Sequence, residues 1–193
     1  FIKILIITVC LFLNSCGKEK KVSIIKEESI ELQMIDSYKE GIKAYNEGDV
    51  LYAAQKFNEA ELLYPQSIWA PKSALMAAYS YYSQDYFGDA IFELERFLKT
   101  YPYDSRVSYA HFLLAMCYYE GIVDEKKDLK PVLRAQEKFK FIIKEYPETD
   151  FALDSKFKLD LIYDILASKE IYIGRHYMKK EKWIAAINRF KNV

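Results

Sequence analysis

The chain has 193 residues, of which 51% are hydrophobic and 16% aromatic, so it can bury a continuous core and is neither disordered nor fibrous. Its 28 basic and 28 acidic residues balance, and positive charge is concentrated only in the short segment Lys18, Lys20, Lys21. Because phosphate binding needs a broad positive surface, no nucleic-acid partner is expected.

The first fifteen residues have the pattern of a secretory signal peptide. Lys3 precedes an almost unbroken apolar run from Ile4 to Leu13, which is too short to cross a bilayer. The run ends in Leu13-Asn14-Ser15-Cys16, which resembles a bacterial lipobox. We therefore expect a lipoprotein signal peptide over residues 1–15, cleavage before Cys16, and N-acyl and S-diacylglycerol lipid on Cys16. The alternatives are an ordinary signal peptide or a bare anchor helix.

Residues 16–32 are dominated by Lys, Glu and Ser and lack an apolar helical face. This composition predicts a flexible tether that begins at the lipidated Cys16 and keeps the folded part close to the membrane. Gly17, with no aspartate in its place, resembles the sorting pattern of lipoproteins released to the outer membrane. Phe1 in place of methionine leads us to expect that both ends of the sequence are incomplete.

One pattern recurs through residues 33–193: an alanine, a bulky apolar residue four positions later, and a proline eight positions after that. The copies are Ala53, Phe57, Pro65; Ala90, Leu94, Pro102; and Ala135, Phe139, Pro147, with Ala186 and Phe190 beginning a fourth. Stacked helical hairpins have such periods, and the spacing resembles the tetratricopeptide repeat (TPR). We predict an all-α TPR α-solenoid of antiparallel helix pairs, with units at about 34–66, 70–103, 105–148 and 150–193, the last one truncated.

Two departures from the repeat are visible. The turn of the third unit carries a polar insert from Gly121 to Lys130, and an extra amphipathic helix is predicted from about Phe151 to Ala167 before the pattern resumes near Gly174. The polar residues expected to cap helices after the proline turns are Ser67, Asp104 or Ser105, and Asp150.

The first helix of each TPR pair lines the concave groove, so its outward positions can be read from the sequence. They form an aromatic stripe that suits the binding of extended, apolar-rich peptides. We expect roughly half of these side chains to pack between repeats instead. The predicted groove residues are Tyr38, Ile42, Tyr45, Leu75, Tyr79, Tyr82, Tyr109, Phe112, Met116 and Tyr119.

No enzymatic activity, metal or cofactor is expected. His111 and His176 are far apart and lack ligand-spaced Cys or carboxylate neighbours, so both are interpreted as structural. Glu93 and Glu95 point apart on a helix and are interpreted as solvated charges. Cys117 follows an apolar stretch and is expected to be a buried thiol.

The lipobox, the tether and the repeats, together with the segments Leu159–Tyr163, Gly174–Tyr177 and Trp183–Arg189, resemble the BamD family of lipoproteins. These belong to the outer-membrane β-barrel assembly (BAM) machinery of Gram-negative bacteria. The resemblance runs from Cys16 to the last residue. It implies a location on the periplasmic face of the outer membrane, binding of unfolded β-barrel outer-membrane proteins, and contact with BamA and other BAM subunits. Arg189 matches the position that the family uses for BamA.

Two other classes of protein stay open. One is a TPR adaptor lipoprotein that coordinates periplasmic cell-wall enzymes, which should be recovered with wall synthases. The other is an enzyme whose catalytic part lies beyond Val193, with the repeats as an accessory region. A full-length sequence that adds only one more helical hairpin would dismiss the second.

Overall fold

The computed structural model describes residues 29–122 and 128–193, and in those ranges it has eight α-helices and no β-strand. Each helix packs on the next one along the chain, and the short connections make neighbours antiparallel. The predicted all-α helical-repeat fold is therefore confirmed. The helices are α1 (Ile30–Glu47), α2 (Val50–Leu63), α3 (Ala70–Tyr82), α4 (Phe87–Thr100), α5 (Val107–Glu120), α6 (Lys130–Glu145), α7 (Asp150–Lys179) and α8 (Trp183–Phe190).

Several predictions fall outside the described residues. These are the signal peptide, Cys16, most of the tether and the centre of the polar insert. The end of the predicted tether is described, and it differs from expectation: Ser29 caps α1 by accepting a hydrogen bond from the Leu32 N–H, so residues 30–32 are already helical. Within the described ranges, no helix combines the length and the apolarity needed to cross a bilayer.

The turns inside the first two hairpins use different residues for the same purpose. Gly48 ends α1 with φ of 85°, a left-handed conformation that costs glycine nothing. Asp85 takes φ of 63° in the second hairpin, where the sequence carries one extra residue. Aspartate is one of the few non-glycine residues that tolerate this region, so the hairpin can close without a glycine.

The recurrent alanine and bulky positions form the core. Ala53, Phe57, Leu94 and Phe139 are fully buried, and the small residues allow close helix crossings around them. At Gly41, an added Cβ would lie 2.8 Å from Cε1 of Phe57, so this crossing needs glycine. The prediction that Cys117 is a buried thiol is confirmed, and burial raises its pKa to about 12.

The interpretation of Glu93 as a solvated charge was wrong, because it is only 7% exposed and joins a polar network between α2 and α4. The Arg96 guanidinium donates to both carboxylate oxygens of Glu61, at 2.8 and 2.6 Å, and to Glu93 at 2.8 Å. The Tyr101 hydroxyl donates to Glu61 at 2.7 Å, and the Asn58 amide donates to Glu93 at 3.2 Å. This arrangement, which we call the Arg96 network, ties the first hairpin to the second.

The helix α7 is one continuous element of 30 residues, about 45 Å long, where the sequence predicted a helix ending near Ala167 and a restart near Gly174. Gly174 does not break the helix: its missing side chain makes room for the Phe190 ring of α8, which a Cβ would overlap. The cap also differs from the prediction, since the Thr149 hydroxyl, and not Asp150, accepts the Ala152 N–H.

Candidate peptide-binding groove

The helices form two layers. The inner helices α3 and α5 contact each other although α4 separates them in sequence, and α5 contacts α7 in the same way. Ring contacts between α1 and α3 extend this inner layer to the first hairpin. The inner surface, which we call the groove, is therefore lined by α1, α3, α5 and the first turns of α7, while α2, α4 and α6 form the outer layer.

The predicted stripe lies on this surface and is continuous over its middle part. The Tyr45 and Tyr79 rings are 5.9 Å apart between centroids, and Tyr79 and Tyr82 are 6.2 Å apart. All three rings are half-buried, with one side on the core and the other facing the groove. Ile42 packs beside them against the first hairpin.

At one end of the stripe, Tyr38 lies apart from this row and joins a different aromatic group. Its ring is 5.2 Å from Trp69 and 5.3 Å from the buried Phe57. The Lys72 ammonium lies 4.6 Å from the Trp69 ring centroid and 5.2 Å from that of Tyr38, which are cation–π distances.

At the other end, several predicted groove residues pack into the third hairpin. Met116 is 8% exposed, and the rings of Phe112 and Tyr119 each lie 6.2 Å from the buried Phe139. Phe151 at the start of α7 stacks on Phe112 at 5.3 Å and contacts Tyr109 at 5.5 Å. Sequence reasoning missed Phe151 as a groove residue, although it directly follows the predicted start of the fourth unit.

A cavity of about 340 Å³ opens between α3 and α5 in the middle of the groove. It is lined by Lys72, Leu75, Met76, Tyr79, Arg106 and Tyr109. Leu75, Tyr79 and Tyr109 were predicted, whereas the two cations and Met76 were missed. Lys72 and Arg106 lie near the starts of α3 and α5, outside the aromatic stripe that was predicted from the repeat.

The two cations differ in how their charge is balanced. Arg106 pairs with Asp104 through hydrogen bonds of 2.7 and 2.8 Å, and this contact lowers the pKa of the Asp104 carboxyl below its usual value. Among the residues that the structure describes, no carboxylate lies within 4.0 Å of the Lys72 ammonium. Lys72 is therefore the charge that an incoming anionic group would meet.

Three of the groove tyrosines, Tyr79, Tyr82 and Tyr109, have a raised pKa and remain protonated at neutral pH. Burial raises the pKa of Tyr109 to about 12. Burial and a hydrogen bond with Glu120 raise that of Tyr82, and a hydrogen bond with Tyr45 raises that of Tyr79. An apolar wall with hydroxyl donors and a nearby cation suits a peptide that offers aromatic or aliphatic side chains and an anionic group.

The histidines and acidic residues form no metal-binding group within the described parts of the chain. His111 lies 4.6 Å from the Phe141 ring, and burial lowers its pKa to about 4. His176 lies elsewhere, exposed on α7.

Arg189 lies outside the groove, on α8, which packs on α7. Its guanidinium is 3.2 Å from Glu170, to which the Asn192 amide also donates at 3.2 Å. On the same helix, α8 also exposes Trp183 and Ile184, with 58% and 79% of their surface accessible. The second predicted site is therefore an ion pair on a helix that exposes apolar side chains at its start.

Comparison with known proteins identifies a protein family that this chain matches. Residues 31–193 match the family model YfiO, described as an outer membrane lipoprotein.

Three curated relatives carry the name outer membrane protein assembly factor BamD. The protein of Caulobacter vibrioides is 36% identical over 178 residues, which are 92% of this chain and 57% of the relative. That of Rickettsia prowazekii is 34% identical, with 97% of this chain and 73% of the relative covered. That of Neisseria gonorrhoeae is 25% identical, with 98% and 75% covered. The chain thus spans from just over half to three quarters of the length of these relatives.

Proposed function

This chain belongs to the YfiO family of outer membrane lipoproteins, and from that premise we propose that it is a binding scaffold of the β-barrel assembly machinery. In this role it holds unfolded segments of outer-membrane proteins in its groove while it is docked on BamA and the other BAM subunits. The relatives are named assembly factors, which supports a role in binding and not in catalysis. Lipid on Cys16 would hold the chain at the periplasmic face of the outer membrane.

The proposal that the groove binds unfolded segments of outer-membrane proteins depends on the spacing of the Tyr45, Tyr79 and Tyr82 rings. Unfolded barrel strands alternate apolar and polar residues, so the side chains on one face of an extended strand recur about every 6.6–6.8 Å. The ring separations of 5.9 and 6.2 Å are close to this repeat. Successive apolar side chains of one strand can therefore sit against successive rings.

The cavity supports a preferred orientation of the bound segment. An apolar side chain can fill the space between Leu75 and Tyr109, while a carboxylate at the end of the segment meets Lys72. Covering the strand in this way would also delay its pairing with other exposed strand edges.

The groove is tested by Tyr45→Ala/Tyr79→Ala and a labelled peptide from the C-terminal strand of a barrel protein. We expect binding to weaken by about 1–3 kcal/mol, as truncated aromatic anchors usually do. The control is Phe92→Ala, because Phe92 is 67% exposed on the outer helix α4. Unchanged affinity with intact helicity would place the tyrosines in the core and contradict the proposal. Lys72→Met should weaken binding of the free-carboxylate peptide more than that of its amide.

For the proposed contact with BamA, we propose that BamA docks on α8 around Arg189. Because Arg189 pairs with Glu170, reversing its charge alone would also bring two carboxylates together. Arg189→Glu should therefore be compared with the charge swap Arg189→Glu/Glu170→Arg, with co-purification of BamA as the readout. Loss in both supports direct contact, whereas recovery in the swap would mean that Arg189 only holds α8 on α7. Retention of BamA by Arg189→Glu would remove Arg189 from the interface.

The adaptor for cell-wall enzymes remains the competing function, since a helical-repeat groove can bind other extended peptides. Gentle solubilisation of the membrane followed by identification of the retained proteins separates the two. Recovery of BamA supports assembly, and recovery of wall synthases without BamA would overturn it.

A further inference from the structure

The two most exposed large apolar side chains of the described residues both lie in turns between hairpins. Tyr103 is 99% exposed in the α4–α5 turn, and Ile68 is 85% exposed in the α2–α3 turn. Neither side chain contributes to the groove or to the core. Their exposure therefore needs an explanation that the fold does not supply.

Both turns lie at one edge of the molecule. Each joins the end of an outer helix to the start of an inner helix, and in an antiparallel array all such turns lie at the edge where α1 begins. Ile30, the first residue of α1, is also 59% exposed. We call this edge, defined by Ile30, Ile68 and Tyr103, the α1 edge.

The α1 edge is also where the chain that follows the proposed lipid attachment site enters the fold. Ser29 is thirteen residues after Cys16, so the chain between them can span at most about 45 Å. The helices that run from this edge to the opposite one have 13 to 18 residues over α1 to α5, or about 20–27 Å. The opposite edge therefore lies a helix length farther along the chain from the lipid attachment point.

The chemistry of the α1 edge suits a lipid headgroup region. Tyrosine and tryptophan favour the interface between water and the acyl chains, and Trp69 stands next to Ile68 with Lys72 over its ring. The Asp104–Arg106 pair beside Tyr103 adds no net charge. The third turn carries Glu148 and Asp150, and the exposed Glu31 follows Ile30, so the contact is confined to the α2–α3 and α4–α5 turns.

The opposite edge is less suited, although it exposes Trp183 and Ile184. In the first two hairpins its turns carry Asp49 and Asp85, which anionic headgroups repel, whereas Glu181 in the α7–α8 turn lies between Lys180 and Lys182. Over the first two hairpins, the charge of the turns and the point at which the chain enters the fold therefore favour the α1 edge.

We propose that the α1 edge, through Ile68 and Tyr103, rests in the headgroup region of the bilayer that anchors Cys16. The helices then stand upright on the membrane, and the groove runs along its surface within about one helix length of it, or roughly 20 Å. A client segment is held parallel to the bilayer. This inference rests on the proposed lipidation of Cys16.

The test uses the mature acylated chain in vesicles of phosphatidylethanolamine with a minority of phosphatidylglycerol. Environment-sensitive fluorophores are attached to Ile68→Cys or Tyr103→Cys, with Phe92→Cys and Gln84→Cys as controls at exposed positions away from the α1 edge. The buried Cys117 is replaced by alanine in every variant. We expect blue-shifted emission and quenching by shallow nitroxide lipids at positions 68 and 103 only.

Equal emission and quenching at all four positions would overturn the inference. Mass spectrometry of Cys16 separates the two ideas: acylated protein whose edge labels stay in water refutes the membrane contact and leaves the anchor standing. Protein without acyl groups refutes both. Concentration-dependent shielding of the edge labels without vesicles would assign the edge to a second copy of the chain and would also overturn the inference.

Discussion

Replacing Arg96 by methionine should destabilise the chain more than replacing any surface arginine. Arg96 donates to Glu61 and Glu93, which are 5% and 7% exposed, so its removal leaves two buried carboxylates without their cation. Breaking a buried ion pair from one side costs about 3–5 kcal/mol. Because Tyr101 and Asn58 still donate one hydrogen bond to each carboxylate, we expect a loss near the lower limit, about 3 kcal/mol.

The assay is urea unfolding of the mature chain at pH 7, followed by far-UV circular dichroism, with the loss taken from the midpoint at constant m. The matched control is Arg134→Met, since the Arg134–Glu137 pair has side chains that are 62% and 63% exposed and should contribute less than about 0.5 kcal/mol. Adding Glu61→Gln to Arg96→Met should restore part of the loss. The reasoning fails if Arg96→Met and Arg134→Met unfold at the same urea concentration.

Three further predictions address single sites. Burial lowers the pKa of His111 to about 4, so as the pH falls the unfolded chain binds a proton before the folded chain does. The free energy of unfolding should therefore decrease from pH 6.5 towards pH 4, by about 2 kcal/mol at pH 5. The His111→Gln variant should show a correspondingly smaller decrease in its urea midpoint over this pH range. Gly41→Ala should lower the thermal midpoint because its Cβ meets the buried Phe57 ring, at a cost of about 2 kcal/mol, whereas Gly88→Ala, with nothing within 4 Å, should be neutral or raise it. Equal midpoints would refute the crowding argument. Cys117, whose pKa is raised to about 12, should resist alkylation at pH 8 until urea unfolds the chain, and modification at the rate of a free thiol would contradict its burial.

Local signals predicted the hairpins well because they act over one or two helical turns. The alanines and bulky residues at fixed spacing became the buried contacts, and the proline turns separate the hairpins as expected. The continuity of α7 was missed because the repeat pattern resumes near Gly174, which suggested that a new helix begins there. Gly174 does make the close contact with Phe190 that the repeat requires, but it does so within a continuous helix.

The candidate site was only partly predictable, for a similar reason. The tyrosine row follows from the repeat, and so do the groove positions of α1, α3 and α5. The Arg96 network could not be found in this way, since Glu61 and Arg96 are 35 residues apart and Glu93 has the spacing of a surface charge. Lys72 became notable only when the fold placed it at the cavity.

The unbroken course of α7 has a mechanical consequence. Its first turn carries Phe151 against Tyr109 and Phe112, and its last turns carry Gly174 beneath the Phe190 ring of α8. Between these ends the helix has no proline, and Gly174 is clamped, so the rod has no hinge. A rotation of α8 is therefore expected to move the whole of α7, including Phe151 at its start. A partner bound to α8 would in this way set the orientation of the part of the groove that Phe151 contacts.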